Sequence, residues 1–491
     1  PLLPHRTSPV TIPLVMHHLS IHRDDFRLGI VSLCLLIGGL VLIVSCKTAP
    51  LPPEALPEVP TLEVPPPEED LYTGVATYLS LGDPEAALTA LEKAAEKDPN
   101  SKETQRLVAE VLIIAGKLQE AKRVLSELLQ SDPQDTEVLY NLAMIEAASA
   151  NQAKEKELLE KILRIDPTHS RAQAALGELF LKQKNLEEAE KAFNASLAED
   201  PTNITALIGK GNVELRQKKP AEAEKTLTKA VDILPDYPFT YVDRSKARAE
   251  LGNFEAADSD LTKAIELAPE YGWNFYDRGR LRANMGKTEE ALEDLNKAIQ
   301  LEPNLFLAYI YRARILDGKE KYQEALADYQ KALALNPQYP YAHVPMGILY
   351  YKLNNFIQAA ESFRKAAERD ETEPAYHLLV ALSYKRANQE QKASEYLEHV
   401  LLALPRDTLF YHMARYYLQP SSDFFIVQQV NSEKNRTLKA RMLFYLAIQY
   451  KLQGKANSAR TYLLEAADGR TSGYIENRLA TWEIRMLSEG R

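Results

Sequence analysis

Cysteine is almost missing from this sequence: Cys34 and Cys46 are the only two, and both fall within the first 46 residues. Nothing beyond Cys46 can form a disulfide, act as a thiol nucleophile or supply sulfur to zinc or an iron–sulfur cluster. A basic excess is missing too. Lys and Arg number 59 against 69 Asp and Glu, for a net charge of −10. The two signs are interleaved, as on solvated helices, so nucleic acid is not an expected partner. No nucleophile elbow, Ser-His-Asp order or supported carboxylate pair occurs. Gly286-Lys287-Thr288 has the ending of a phosphate loop, but Leu281 stands where the upstream glycine is required. His343 and His377 stand 34 residues apart, but no Cys, Asp or Glu recurs beside them at that spacing to complete a metal site. Neither a metal, nor a cofactor, nor enzymatic activity is expected.

Long apolar runs are equally scarce. The one present, residues 28–45, holds 18 uncharged residues, follows Arg23 and Arg27, and ends at Cys46. That length is at the lower edge of what spans a bilayer, and the basic flank suits a secretory signal. Ile43-Val44-Ser45-Cys46 resembles the bacterial lipoprotein signal. The resemblance implies acylation of Cys46 and cleavage before it, with two or three acyl chains giving stable anchoring. An uncleaved signal-anchor helix is the alternative. Lys47 after the cysteine is similar to what, in enteric bacteria, permits export to the outer membrane, so its periplasmic face is the expected location. The first methionine is Met16, so residues 1–45 are expected to comprise an upstream extension and a signal peptide. Residues 46–67 contain eight prolines and no glycine, which favours an extended, stiff linker.

Beyond residue 67 the chain repeats with a period of 34. Pro99, Pro133, Pro167, Pro201, Pro235, Pro269, Pro303, Pro337 and Pro405 mark it, with Glu371 in the one gap. Twelve residues before each mark stands an alanine, except at Glu155, and four residues later a large apolar residue such as Leu91, Phe193 or Tyr329. A second small column includes Gly177, Gly211 and Gly347. This pattern resembles the tetratricopeptide repeat. The resemblance implies an all-α fold, a right-handed solenoid of stacked helix-turn-helix units whose faces are buried only by their neighbours. Ten contiguous units cover residues 68–407; a degenerate helical unit follows at 408–439, then a further unit and a C-terminal capping helix at 440–491.

Three successive units, the sixth to the eighth, carry Arg at their seventh position (Arg244, Arg278, Arg312) and Asp at their twenty-third (Asp260, Asp294, Asp328). Units with an apolar seventh position lack that Asp. The joint occurrence points to a structural ion pair between the two helices of each unit.

Positions two, five, nine and twelve of a first helix share one face, and the family's geometry turns that face toward the concave groove. In the sixth to eighth units it carries Phe239, Lys246, Trp273, Tyr276, Arg280 and Arg314, among others. Cationic groups beside aromatic surface suit an extended peptide with apolar and acidic side chains. The resemblance to repeat lipoproteins implies a membrane-tethered scaffold in a bacterial cell envelope, binding segments of other envelope proteins. A small-molecule or lipid carrier, as a transporter accessory lipoprotein, is the alternative; it needs a closed cavity rather than an open groove.

Overall fold

The computed structural model describes residues 75, 77–79, 82–97, 101–420, 423–467 and 473–489. The expected signal, Cys46 and the expected proline-rich linker lie outside the described residues. Those described are helical throughout, without a strand, and none of their helices is long and apolar enough to cross a membrane. The chain divides into two compact bodies, one ending at Leu281 and the other running from Arg282.

The N-terminal body is a succession of helix pairs. First helices such as Thr136–Ala148 and Ser170–Lys182 have 13 residues, and second helices such as Gln152–Ile165 and Leu186–Glu199 have 14. The repeat boundary is built by the side chains at its edge. Asp135 and Asn203 accept hydrogen bonds from the first free amides of the helices they precede, which is what an N-cap does. Each second helix stops two residues before its proline, at Ser131, Ile165 and Glu199, since proline offers no amide to continue it.

The core follows the two sequence columns. Leu91, Leu125, Leu159, Phe193 and Leu227 are 0% exposed, as are Ala87, Ala121, Ala189 and Ala223. Glu155, the exception in the alanine column, is buried as well, and burial pushes its carboxyl up. The small residues are needed for contact. A β-carbon placed on Gly177 would sit 2.6 Å from the Phe193 ring, and Gly209 meets the same ring from the next repeat. Between the two helices of a repeat the chain takes a left-handed turn. Gly116 and Gly252 supply it in this body, but so do Ala150, Lys184 and Lys218, with φ near +60°. Non-glycine residues reach that region only at some cost in energy.

The C-terminal body continues the pattern, with Leu295, Phe363 and Leu397 at 0% exposure and Asn354 and Asn388 in the left-handed turns. Two features depart from the regular repeat. Residues 408–439 hold two short helices, Leu409–Leu418 and Phe424–Ser432. The helix after them begins at Arg436, capped by Asn435, and runs 17 residues to Leu452; the sequence pattern places the start of that unit four residues later. The last helix, Ile475–Ser488, covers the end of the stack through the helix Ala456–Ala466. It also turns back along earlier first helices of the same body, reaching Asp317 and His343–Lys352. A plain end cap would touch only its predecessor.

Candidate binding grooves

In the N-terminal body, the helix Pro238–Glu250 and residues 272–281 of the helix Gly272–Asn284 carry most of the expected groove residues. Phe239 is half-buried, edge-on to Tyr237 and Tyr271 with centroids 5.4 and 5.3 Å away. Trp273 is half-buried, and Tyr276, one turn on, is 5% exposed. Their rings meet edge to face at 5.8 Å. Lys246 and Arg280 keep about 38% and 41% of their side-chain surface exposed, and each leans on an acid three residues earlier. Lys246 lies 2.5 Å from Asp243, and Arg280 is 3.9 Å from Asp277. These cations are therefore partly neutralised by their own helices, Lys246 closely and Arg280 loosely.

Earlier in the same body, the corresponding positions carry charges of both signs, several of them paired within the body. Glu137 is paired with Arg171, and Arg106 with Asp135 at 2.9 Å. Glu110 is 5% exposed and receives the Asn141 amide at 3.5 Å. Burial pushes its carboxyl up to about 7, against the opposing pull of that bond and Arg106.

The arginine–aspartate column forms inter-helix contacts. Arg244 donates through Nε and Nη2 to the two oxygens of Asp260 at 3.0 and 2.7 Å, and Arg312 does the same to Asp328 at 2.7 Å each. Each guanidinium also reaches the second helix of the preceding repeat: Arg244 to Thr228, Arg278 to Thr262 and Arg312 to Asn296. It lies over an aromatic ring one turn before it, Tyr241, Phe275 or Tyr309, at 5.5–5.9 Å. Arg278 and Asp294 belong to different bodies. Asp294 accepts from Arg282 at 3.0 Å, and Asp260 likewise has a second arginine, Arg248, at 2.9 Å.

In the C-terminal body, Arg314 is exposed with its guanidinium 5.3 Å from the Tyr311 ring. The neighbouring groove positions are taken by the chain itself. Asp317 and Tyr351, both at position twelve, accept and donate bonds to the terminal helix: Arg478 reaches Asp317 at 2.6 Å, and Tyr351 donates to Glu483 at 2.6 Å. His377 lies 2.8 Å from the Tyr396 hydroxyl, and burial holds its imidazole below the ordinary range. Among the described residues no group of three or more His, Cys, Asp or Glu could hold a metal ion.

Sequence profiles described as "Tetratricopeptide repeat" match residues 78–145, 144–206, 240–271, 274–305 and 342–373, and one described as "TPR repeat" matches 319–354. Similar solved structures include MamA, 25% identical over 33% of this chain and 95% of that one, with a TM-score of 0.31. YrrB, "a TPR protein with an unusual peptide-binding site", is 22% identical over 38% of this chain and 95% of that one, with a TM-score of 0.33. A tetratricopeptide repeat protein from Parabacteroides merdae is 20% identical over 50% of this chain and 97% of that one, with a TM-score of 0.38. No curated protein matches the sequence.

Proposed function

The chain belongs to the tetratricopeptide repeat family, and from that premise we propose that it is a membrane-tethered scaffold of a bacterial cell envelope. It binds segments of other proteins along the first helices of its repeats, and its chemistry is recognition rather than catalysis. One observation carries the binding reading. Trp273, Tyr276 and Arg280 share a face of one helix, and Trp273 and Arg280 on it keep contact with solvent. A half-covered indole against a second ring, next to a cation whose nearest acid is 3.9 Å away, is the composition of an interface anchor. An extended segment with an apolar side chain for the indole and a carboxylate for Arg280 would complete both. The tether is the lipid on Cys46, supported by the lipoprotein-like residues 43–46 and the apolar run before them; with it comes placement on the periplasmic face of the outer membrane. Affinity purification from envelope fractions tests the reading: a partner recovered on the natural chain should be lost from a Trp273→Ala, Arg280→Glu chain of unchanged helicity.

A further inference from the structure

The terminal helix Ile475–Ser488 has an unusual buried stripe. Glu476, Leu479, Ala480 and Glu483 fall on one face at helical spacing and are 1%, 0%, 0% and 0% exposed. A helix that only covered apolar surface would carry apolar residues at all four places. Here the stripe begins and ends in a carboxylate, seven residues apart.

Each carboxylate is met by donors from other helices of the C-terminal body. Glu483 receives Tyr351 at 2.6 Å, Arg386 at 2.5 Å and Lys451 at 2.6 Å. Burial opposes its charge, but Arg386 and Lys451 outweigh burial and hold the carboxyl below its ordinary range. Glu476 receives Arg441 Nε at 3.0 Å and the Tyr445 hydroxyl at 2.9 Å. The receiving groups are themselves fixed. Arg386 lies 4.6 Å from the Phe356 ring and 5.3 Å from that of Tyr351. Arg441 lies 5.2 Å from the Phe410 ring and is tied to Glu373 at 2.7 Å. Between the two carboxylates Trp482 sits edge-on to Tyr351 at 5.8 Å.

Burying a carboxylate costs several kcal/mol, and pairing it seldom gains more than well-packed apolar residues would. Two such groups add little stability to a cap. They do specify which helix is accepted, in which direction and in which register. Tyr351 and Lys451 stand at position twelve of their first helices and Arg441 at position two, the face expected to bind partners.

We propose that the seat of the terminal helix is a ligand site of the C-terminal body, and that its partner is an amphipathic helix of another protein. That helix carries two carboxylates seven residues apart with an aromatic residue next to the second. The chain's own terminal helix fills the site in cis as a built-in competitor. A tethered helix acts at an effective concentration on the order of millimolar, so the partner binds only when it displaces the terminal helix. This site is separate from the Trp273 face and does not depend on it.

The test uses the full chain and a fluorescein-labelled peptide of residues 473–489, read by anisotropy. The natural chain should capture it poorly. Glu483→Ala weakens the cis helix and leaves Arg386, Lys451 and Tyr351 in place, so that chain should bind the peptide at least tenfold more tightly. A peptide carrying Glu476→Gln and Glu483→Gln should lose at least tenfold on the same chain. Hydrogen exchange on the natural chain should show amides of 475–488 opening before those of 436–452. Equal capture by both chains, or equal binding of both peptides, would overturn the proposal. Exchange of 475–488 only together with 436–452, or collapse of the Glu483→Ala chain, would make the helix a structural cap. Natural chains that sediment as dimers by trading terminal helices would make the seat a contact between copies, and would equally overturn it.

Discussion

Arg244 holds Asp260 by two hydrogen bonds while its remaining nitrogen reaches Thr228 of the preceding repeat. One guanidinium therefore joins three helices, its own and the second helices of two repeats. The Arg244 side chain is 10% exposed and that of Asp260 4%. Arg248 donates to the same carboxylate. Asp260→Ala strands buried positive charge and should cost about 3–5 kcal/mol. Arg244→Leu combined with Asp260→Ala returns the site to the apolar chemistry of other repeats, and Arg248 keeps Glu224 at 2.9 Å. The double change should cost clearly less than the two single changes summed. Urea melts showing simple additivity would contradict the coupling.

Glu110 gives the N-terminal body a pH dependence. Its folded value, pushed by burial to about 7 from 4.5, means that the folded chain keeps a proton the unfolded chain has lost. Stability therefore falls as pH rises from about 4.5 through 7, by roughly 3 kcal/mol in all. The groups facing it are Asn141, Arg106, Glu137 and Arg171. Glu110→Gln should leave stability near pH 4 unchanged and raise it at pH 8, with hydrogen exchange of the helix Lys102–Ile114 as readout. Equal effects at both pH values would show that Glu110 titrates normally.

Lys184 occupies a left-handed turn with φ of 62° and is exposed. Lys184→Gly removes that strain, at the expense of a more flexible unfolded chain. A net gain of roughly 0.5–1 kcal/mol is expected by denaturant melt. The same change at Gly116, as Gly116→Lys, should lose a similar amount.

Cys46 is expected to take up labelled palmitate and hold the chain in membrane fractions. Cys46→Ser should abolish the label and normal processing. A parent chain without acylation, and a serine variant still in the membrane, would favour a signal-anchor helix instead.

Most of the repeat architecture was legible because each unit states its own needs locally. The alanine column lies where two helices approach, and the leucine or phenylalanine four residues later fills the space between them. Proline ends the second helix because it lacks an amide. Two of the three expected arginine–aspartate pairs, Arg244–Asp260 and Arg312–Asp328, could be read from joint occurrence, whereas Asp294 accepts from Arg282. What stayed hidden was long-range. Nothing local distinguishes Asp317 or Tyr351 from other groove positions, yet they are joined to residues 161 and 132 positions away. Glu476 and Glu483 in an otherwise apolar stripe were the one available sign. The left-handed turns at Ala150, Lys184 and Lys218 are marked only by the 34-residue spacing that aligns them with Gly116 and Gly252, since none of the three residue types favours that backbone.

The measurement closest to the central claim is the affinity of a recovered partner segment for the natural chain and for Trp273→Ala and Arg280→Glu, by calorimetry. Each variant should bind at least tenfold more weakly, about 1.4 kcal/mol, with circular dichroism unchanged. Unaltered affinity in both would contradict the assignment of this face to partner binding and leave Trp273 and Arg280 as architecture.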